Sequence, residues 1–544
     1  METKFKKKGS ELLAARVAAV IGGAALVLFA VPASAAKIDV GNDDIAMRFD
    51  NTFKYNIGWR MEGREKQLVN NYQSQATNMG WDRGDVVTNR VDLLSEFDFV
   101  YKENWGFRVS GAAWYDEAFD SKVTPNPALG GTTFYVNNRF TSDVKKWNRG
   151  GGELLDAFVF GRVDYGSVPV NFRVGRHTLY WGEALFSFNG IAYGQAPLDL
   201  RKATSTPGTQ AKELFMPQNK ISAAAQLTDN INVAAFYDLE WDPHRLPDGG
   251  TFLGGADVTF LGGQNLGGIP TVGDMHSGPY RVPKNSGNYG INTTIKIDAI
   301  ASTVGVYFRK FDDRYPNMLY APEGFMYNAY GRDTKLYGVS ISHLIDSVAT
   351  SLEISKREHT LLQSSGGLAY GDTYQAIASA IAYFGKTPLF DSASLTAEIN
   401  YAKLDSVEGS SRQFFNRKGT QYANCQGGIY AGCATDSSWG INFAFDPTYF
   451  QIFPGVDLDI PINFGMGLAG NSPTPLGTGK HAGAWSIGAH FDIHAKYEVT
   501  LQYNDYFGKY TTQDSPLGPI WAGTNGSGIM RDRGWLSLMF KTVF

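Results

Sequence analysis

Beyond Val31 the 544-residue chain contains no apolar run long enough to cross a bilayer as a helix, so no spanning helix is expected there. Cysteine is nearly absent. With only Cys425 and Cys433, neither a disulfide scaffold nor a thiolate-rich metal centre can be built. Histidine is scarce, at eight residues, and the chain holds neither a G-x-S-x-G elbow nor an H-E-x-x-H pair. Its nearest serine–histidine arrangement is Ser342–His343, and adjacent residues of a strand point to opposite faces. No catalytic residue, metal site or cofactor is therefore expected. A barrel-borne hydrolase survives as an alternative only through a triad assembled from distant residues. An excess of basic charge is also missing: formal net charge is -4, and it becomes -7 once the five basic and two acidic residues of 1–35 are removed. That balance argues against nucleic acid as a partner.

What is present begins at the N-terminus. Lys4, Lys6, Lys7, Lys8 and Arg16 form a basic segment, Val17 to Val31 an apolar one, and Ala33-Ser34-Ala35 a small-residue cleavage site. This order reads as a secretory signal peptide, residues 1–35, removed after Ala35. In an exported, oxidising setting Cys425 and Cys433 are expected to pair as a local disulfide. An exported chain without a spanning helix can occupy a membrane only as a closed β-barrel. A mean hydropathy of -0.23 does not oppose this, because a barrel carries its lipid-facing residues at every second position.

The alternation is long. Ile45, Met47, Phe49, Phe53, Tyr55, Ile57 and Trp59 fall on one face, and Arg48, Asp50, Thr52, Lys54 and Asn56 on the other. Globular strands average about 5–6 residues, whereas tilted membrane strands need about 9–11. Seventeen further segments alternate similarly: 89–101, 105–116, 153–165, 168–180, 219–227, 231–241, 288–297, 300–310, 335–344, 347–357, 372–384, 393–403, 438–446, 456–467, 483–492, 496–507 and 534–544. Connections between them alternate between short (Lys102–Asn104, Gly166–Ser167) and long (61–88, 117–152, 181–218, 242–287). Tight turns at one rim and long loops at the other are the barrel pattern. Residues 36–544 are thus expected to form an all-β, transmembrane, antiparallel up-and-down β-barrel of about 18 strands. Its last strand should close against residues 44–60, with Leu536, Leu538, Phe540 and Phe544 facing lipid.

The opposite parity points inward. Arg48, Arg108, Arg173, Asp238 and Arg309 are candidate pore-lining residues, and Trp114, Phe158, Phe160, Phe236, Tyr307 and Tyr374 candidate lumen aromatics. These rings would give an aromatic solute a stacking surface, or would pack against a loop inside the pore. Segment 181–218 mixes apolar and charged residues and is the candidate constriction, through Trp181, Glu183 and Arg201. Segment 242–287 is glycine-rich and reads as a flexible outer loop.

Several motifs resemble a known family: Val174-Gly175-Arg176 with Trp181-Gly182-Glu183-Ala184-Leu185-Phe186, Leu239-Glu240-Trp241-Asp242-Pro243 with Gly250-Thr251-Phe252, Cys433 with Asp436-Ser437-Ser438-Trp439-Gly440, and Asp532-Arg533-Gly534-Trp535-Leu536-Ser537-Leu538. They are similar to those of the large proteobacterial outer-membrane proteins known only as a domain of unknown function. The resemblance implies an outer-membrane barrel associated with RND-type transport components and with breakdown of hydrophobic or aromatic compounds. It carries no catalytic residue. The residues and the resemblance together lead to the expectation of a porin-like channel for small hydrophobic, amphipathic or aromatic solutes. Its partners would be the lipid bilayer and, through the C-terminal strand, the barrel-assembly machinery. A surface-exposed structural or adhesion protein is the alternative.

Overall fold

The computed structural model describes residues 36–131, 133–209, 211–257, 276–277, 281–320, 325–423 and 425–544. The signal-peptide expectation and most of the glycine-rich 258–280 stretch lie outside the described residues.

One antiparallel sheet closes on itself. Its strands are β1 (Ile45–Arg60), β2 (Val86–Tyr101), β3 (Trp105–Asp116), β4 (Gly150–Tyr165), β5 (Val168–His177), β6 (Gln218–Thr228), β7 (Ile231–Asp238), β8 (Tyr289–Ile297) and β9 (Ser302–Phe311). The second half comprises β10 (Thr334–Ile345), β11 (Val348–Leu361), β12 (Tyr370–Phe384), β13 (Ser392–Val407), β14 (Ser437–Phe453), β15 (Val456–Asp459 with Ile462–Ala469), β16 (Gly483–Ile493), β17 (Tyr497–Phe507) and β18 (Trp535–Val543). With β15 counted once across Pro461, and the short strand Ala36–Ile38 set aside, the barrel has 18 strands. Pro461 lacks the N–H a ladder needs. The break costs little, because the Ile460 N–H donates to Pro447 O and the Pro461 carbonyl accepts from Gly488 N, both at 3.0 Å.

Each strand pairs with its sequence neighbour, and β1 pairs with β18 from Thr52↔Val543 to Arg60↔Trp535. A final exchange between Asn51 and Phe544, at 2.8 and 2.9 Å, completes the seam. Closure leaves no edge strand unpaired, which is what a hydrocarbon environment demands of backbone polar groups.

The faces separate by parity. Leu93, Val109, Val159, Ile221, Val306, Val339, Ile354 and Ile487 lie exposed on the outside. Trp105, Tyr165 and Tyr383 stand near one rim of this apolar belt, and Tyr237, Tyr337 and Trp439 near the other. Exposed aliphatic side chains around a whole barrel would be costly in water, at about 25 cal/mol per Å², and are satisfied by lipid. Inward positions carry Asp50, Lys54, Arg90, Glu96, Ser222, Asn292, Glu353, Gln375 and Glu398, all buried. The turn rim is built tightly; Gly166, at φ +64°, supplies the left-handed residue that the β4–β5 turn requires. At the other rim the loops are long and fold over and into the barrel.

Candidate functional site

The segment between β5 and β6 leaves the wall and crosses the interior as a strap. Its first limb docks on β9–β13. Glu353 of β11 accepts from the amides of Glu183 (2.7 Å) and Ile191 (2.8 Å). Glu398 of β13 accepts from those of Leu185 (2.7 Å), Phe186 (3.1 Å) and Ser187 (2.8 Å). Both carboxylates are held by a nest of backbone N–H groups. The strap carbonyls are matched as carefully: Arg309 of β9 donates to Ile191 O (2.7 Å) and Tyr193 O (2.9 Å). Arg314, beyond β9, donates to Gly194 O at 2.8 Å, and Arg357 of β11 to Asn189 Oδ1 at 2.5 Å. A strap inside a barrel has no ladder partner, so charged wall residues satisfy its backbone instead. Trp181, Ile191 and Tyr193 pack with Phe236, Tyr307, Phe311 and Leu336 beneath this limb. Gly190 passes so close to Glu353 that a Cβ would collide with the carboxylate.

The second limb reaches the opposite wall. Asp199 caps the helix Leu200–Ser205, accepting from Lys202 N at 3.1 Å. Glu213 pairs with Lys54 of β1 at 2.7 Å, Lys212 with Glu96 of β2, and Lys202 with Glu153 of β4 at 3.0 Å. Gly208 faces the Met539 side chain of β18. Desolvation offsets most of the attraction in such pairs, but breaking a buried one costs about 3–5 kcal/mol. The two limbs thus differ: wall charges grip backbone on one side, and ion pairs latch side chains on the other.

The outer loops stack above the strap. Trp147, on helix Ser142–Asn148, lies on Trp114 (5.6 Å) and carries the guanidinium groups of Arg245 (3.9 Å) and Arg201 (4.8 Å). His244 Nδ1 accepts from Leu198 N at 3.0 Å, joining the β7–β8 loop to the strap. Burial, then the neighbouring Arg314, holds this imidazole down to about 3, so it stays neutral. Asp257 accepts from Ala76 N (2.8 Å), Thr77 N (3.1 Å) and Thr77 Oγ1 (2.8 Å), clamping the β7–β8 loop to the β1–β2 loop. Burial raises its carboxyl to about 6 against the pull of these donors.

The candidate residues divide into two groups. Arg48, Arg108, Arg173, Glu183, Phe158 and Phe160 remain accessible from the lumen. Arg48 pairs with Asp50 at 2.6 Å, and Arg108 sits among Glu96, Asp98 and Asp156. The others are covered. Arg309 and Asp238 are buried, the latter between Lys220 (3.1 Å) and Arg314 (3.2 Å), and Arg201 is buried against Asp199 (3.3 Å) and Asp248 (3.7 Å). These three hold loops in place; the expectation that they line the pore is corrected. Trp181, at the start of the strap, packs on Phe236 and Tyr307, and Trp114 lies under Trp147, so these rings are largely covered, with Trp181 keeping only an edge exposed. Tyr374 is corrected too, because the β12 register turns it outward, opposite Lys356. Residues 242–257, expected as flexible loop, are instead packed, with Leu246, Asp248, Phe252 and Leu253 buried.

Glu153, Arg314 and Arg357 escaped the sequence reading. Parity fails for Glu153 because a register shift between Val109 and Gly111 inserts an extra β4 residue, moving inward positions from odd to even numbers. Arg314 lies in a loop, where alternation gives no signal. Ser342 and His343 do point to opposite faces; His343 Nδ1 lies 2.9 Å from Ser302 Oγ instead. Cys425 and Cys433 form a disulfide with Cα atoms 5.1 Å apart, in the β13–β14 loop.

A closed barrel with an apolar outer belt, a polar interior and a loop folded across that interior has the architecture of a porin-like transmembrane β-barrel. The chain belongs to the family described as protein of unknown function (DUF1302), whose profile matches residues 16–544. Solved structures similar to it include the Acinetobacter baumannii OccAB4 (9% identity, 92% of this chain and 98% of that chain covered, TM-score 0.43). Pseudomonas aeruginosa OpdK with vanillate (9%, 92% and 98%, 0.42) and the A. baumannii outer-membrane channel DcaP (10%, 94% and 100%, 0.36) are others. No curated relative matches the chain.

Proposed function

We propose that the protein is an outer-membrane channel for small hydrophobic, amphipathic or aromatic solutes moving down their gradients. The observation that carries the reading is the strap: residues 182–209 and 211–213 cross the lumen and are held at both walls, by Glu353 and Glu398 on one and by Lys54 and Glu96 on the other. An 18-stranded barrel is wide enough to leave an aqueous path, and an internal loop narrows it to a bore that discriminates. The accessible wall is mixed in sign and includes Phe158 and Phe160, which suits solutes with both a polar end and an apolar body. Export through a cleaved signal peptide and insertion by the barrel-assembly machinery belong to the same proposal.

Planar-bilayer recording of the purified protein tests it. Discrete conductance steps are expected, and replacing 182–213 by a short Gly/Ser linker should raise the conductance. A protein that passes neither ions nor solutes in either form would sink the channel reading.

A further inference from the structure

Below the first limb of the strap, the β4–β7 wall is hollowed. Inward positions of β6 and β7 carry small residues here: Ser222, and Ala224 paired directly across from Ala234. The recess they leave measures about 550 Å³, within the roughly 300–1,000 Å³ typical of small-molecule sites. Phe160 lies along one side, and Leu179 and Trp181 at the strap form its upper edge. Phe160 stands opposite Arg173 in the β4–β5 ladder. Arg173 is exposed, with its guanidinium 5.7 Å from the Phe158 ring, and Asn171, two residues away on the same face, is exposed as well.

Arg173 differs from the other inward-facing strand cations. Lys54, Arg90, Arg108, Lys220 and Lys541 are ion-paired, and Arg309 and Arg357 are consumed by the strap and its neighbours. Among the described residues, Arg173 has no carboxylate or carbonyl partner. The lining also includes Glu103, Asn104 and Arg162, so the hollow is polar toward the turn rim and apolar toward the strap. Arg162 is paired with Asp164, which leaves Arg173 as the guanidinium with an unused fork of donors, a match for a ligand with a carboxylate at one end and a flat apolar body.

We propose that this recess is a wall subsite for aromatic or similarly apolar monocarboxylates. Arg173 takes the carboxylate, with Asn171 donating alongside, and the ring lies against Phe160 over the small floor of Ser222, Ala224 and Ala234. The inference deepens the channel reading by naming a solute class. Its position below the strap makes it a station after the bore has been passed.

Benzoate and its neutral isostere benzamide are the probes, read in two ways so that the subsite and the channel fail separately. Saturation-transfer NMR on detergent-solubilised, full-length protein should show contact with benzoate well above that with benzamide. Arg173→Gln should abolish the difference, and Arg173→Lys should retain part of it. In liposomes, the benzoate-to-benzamide permeability ratio should fall about ten-fold in Arg173→Gln, the size expected from one lost charge-assisted contact. Equal benzoate contact in the unaltered and Arg173→Gln proteins would overturn the subsite, even if the channel conducts. Arg173-dependent contact without any flux would support the subsite and refute the channel.

Discussion

Replacing Glu398 by Ala removes the acceptor for three consecutive strap amides, at 2.7, 3.1 and 2.8 Å. Glu398 is buried. Hydrogen bonds to a charged acceptor contribute about 1.5–3 kcal/mol each, and contacts sharing one carboxylate do not add in full. A loss of about 4 kcal/mol from the docking of the first limb is a fair working value, close to what breaking a buried ionic contact costs. At 1.4 kcal/mol per factor of ten, this shifts the docked-to-released ratio of residues 185–187 by roughly a thousand-fold. The limb will not leave entirely, because Glu353 still holds the amides of Glu183 and Ile191. Single-channel records of E398A should therefore show higher mean conductance and greater open-channel noise. Glu398→Gln keeps one acceptor oxygen and should fall between. The barrel should survive intact, as judged by heat-modifiable migration on gels, because the ladders of β12, β13 and β14 are untouched. Records of E398A indistinguishable from those of the unaltered protein would refute the claim that this carboxylate sets the position of the strap.

Other consequences are as specific. Released from its clamp, Asp257 returns to the ordinary carboxylate value near 4, whereas clamped it is raised to about 6. The clamp is then strongest below pH 4 and loses about 3 kcal/mol as pH rises through 6. Amide exchange at Ala76 and Thr77 should be better protected at pH 4.5 than at pH 7.5 after correction for intrinsic rates, and Asp257→Asn should erase the difference; the same pH dependence in D257N would refute this. Deleting Phe544 removes the last two hydrogen bonds of the β1–β18 seam and should reduce assembled barrel in the membrane far more than it alters conductance of what assembles; normal assembly would count against it. Opening the Cys425–Cys433 loop, eight residues in separation, should cost about 2.5 kcal/mol by the chain-entropy estimate. The effect should appear as protease sensitivity at 408–436 with the barrel melting temperature unchanged, and a barrel that melts earlier would contradict a purely local role.

Alternation alone determined the barrel. Period two, strand length and the two classes of connection are local properties, and they located all 18 strands and the parity of β1, β2, β3 and β18. The disulfide was equally legible, because two cysteines leave one pairing. What periodicity could not carry was anything that depends on a break in it or on a loop. The extra residue in β4 moved Glu153 inward, and the β12 register put Tyr374 outside. The strap was legible as a mixed apolar and charged segment, but its docking was not. Glu353 and Glu398 look like ordinary inward carboxylates until the amides of 183–191 are brought against them, and Arg309 looks like pore lining until the same limb covers it. The wall is set by contacts between neighbours in sequence, and a sequence displays those. The bore is set by contacts between residues far apart in sequence, 116 apart for Lys212 with Glu96 and 213 for Leu185 with Glu398, and only the closed barrel brings them together.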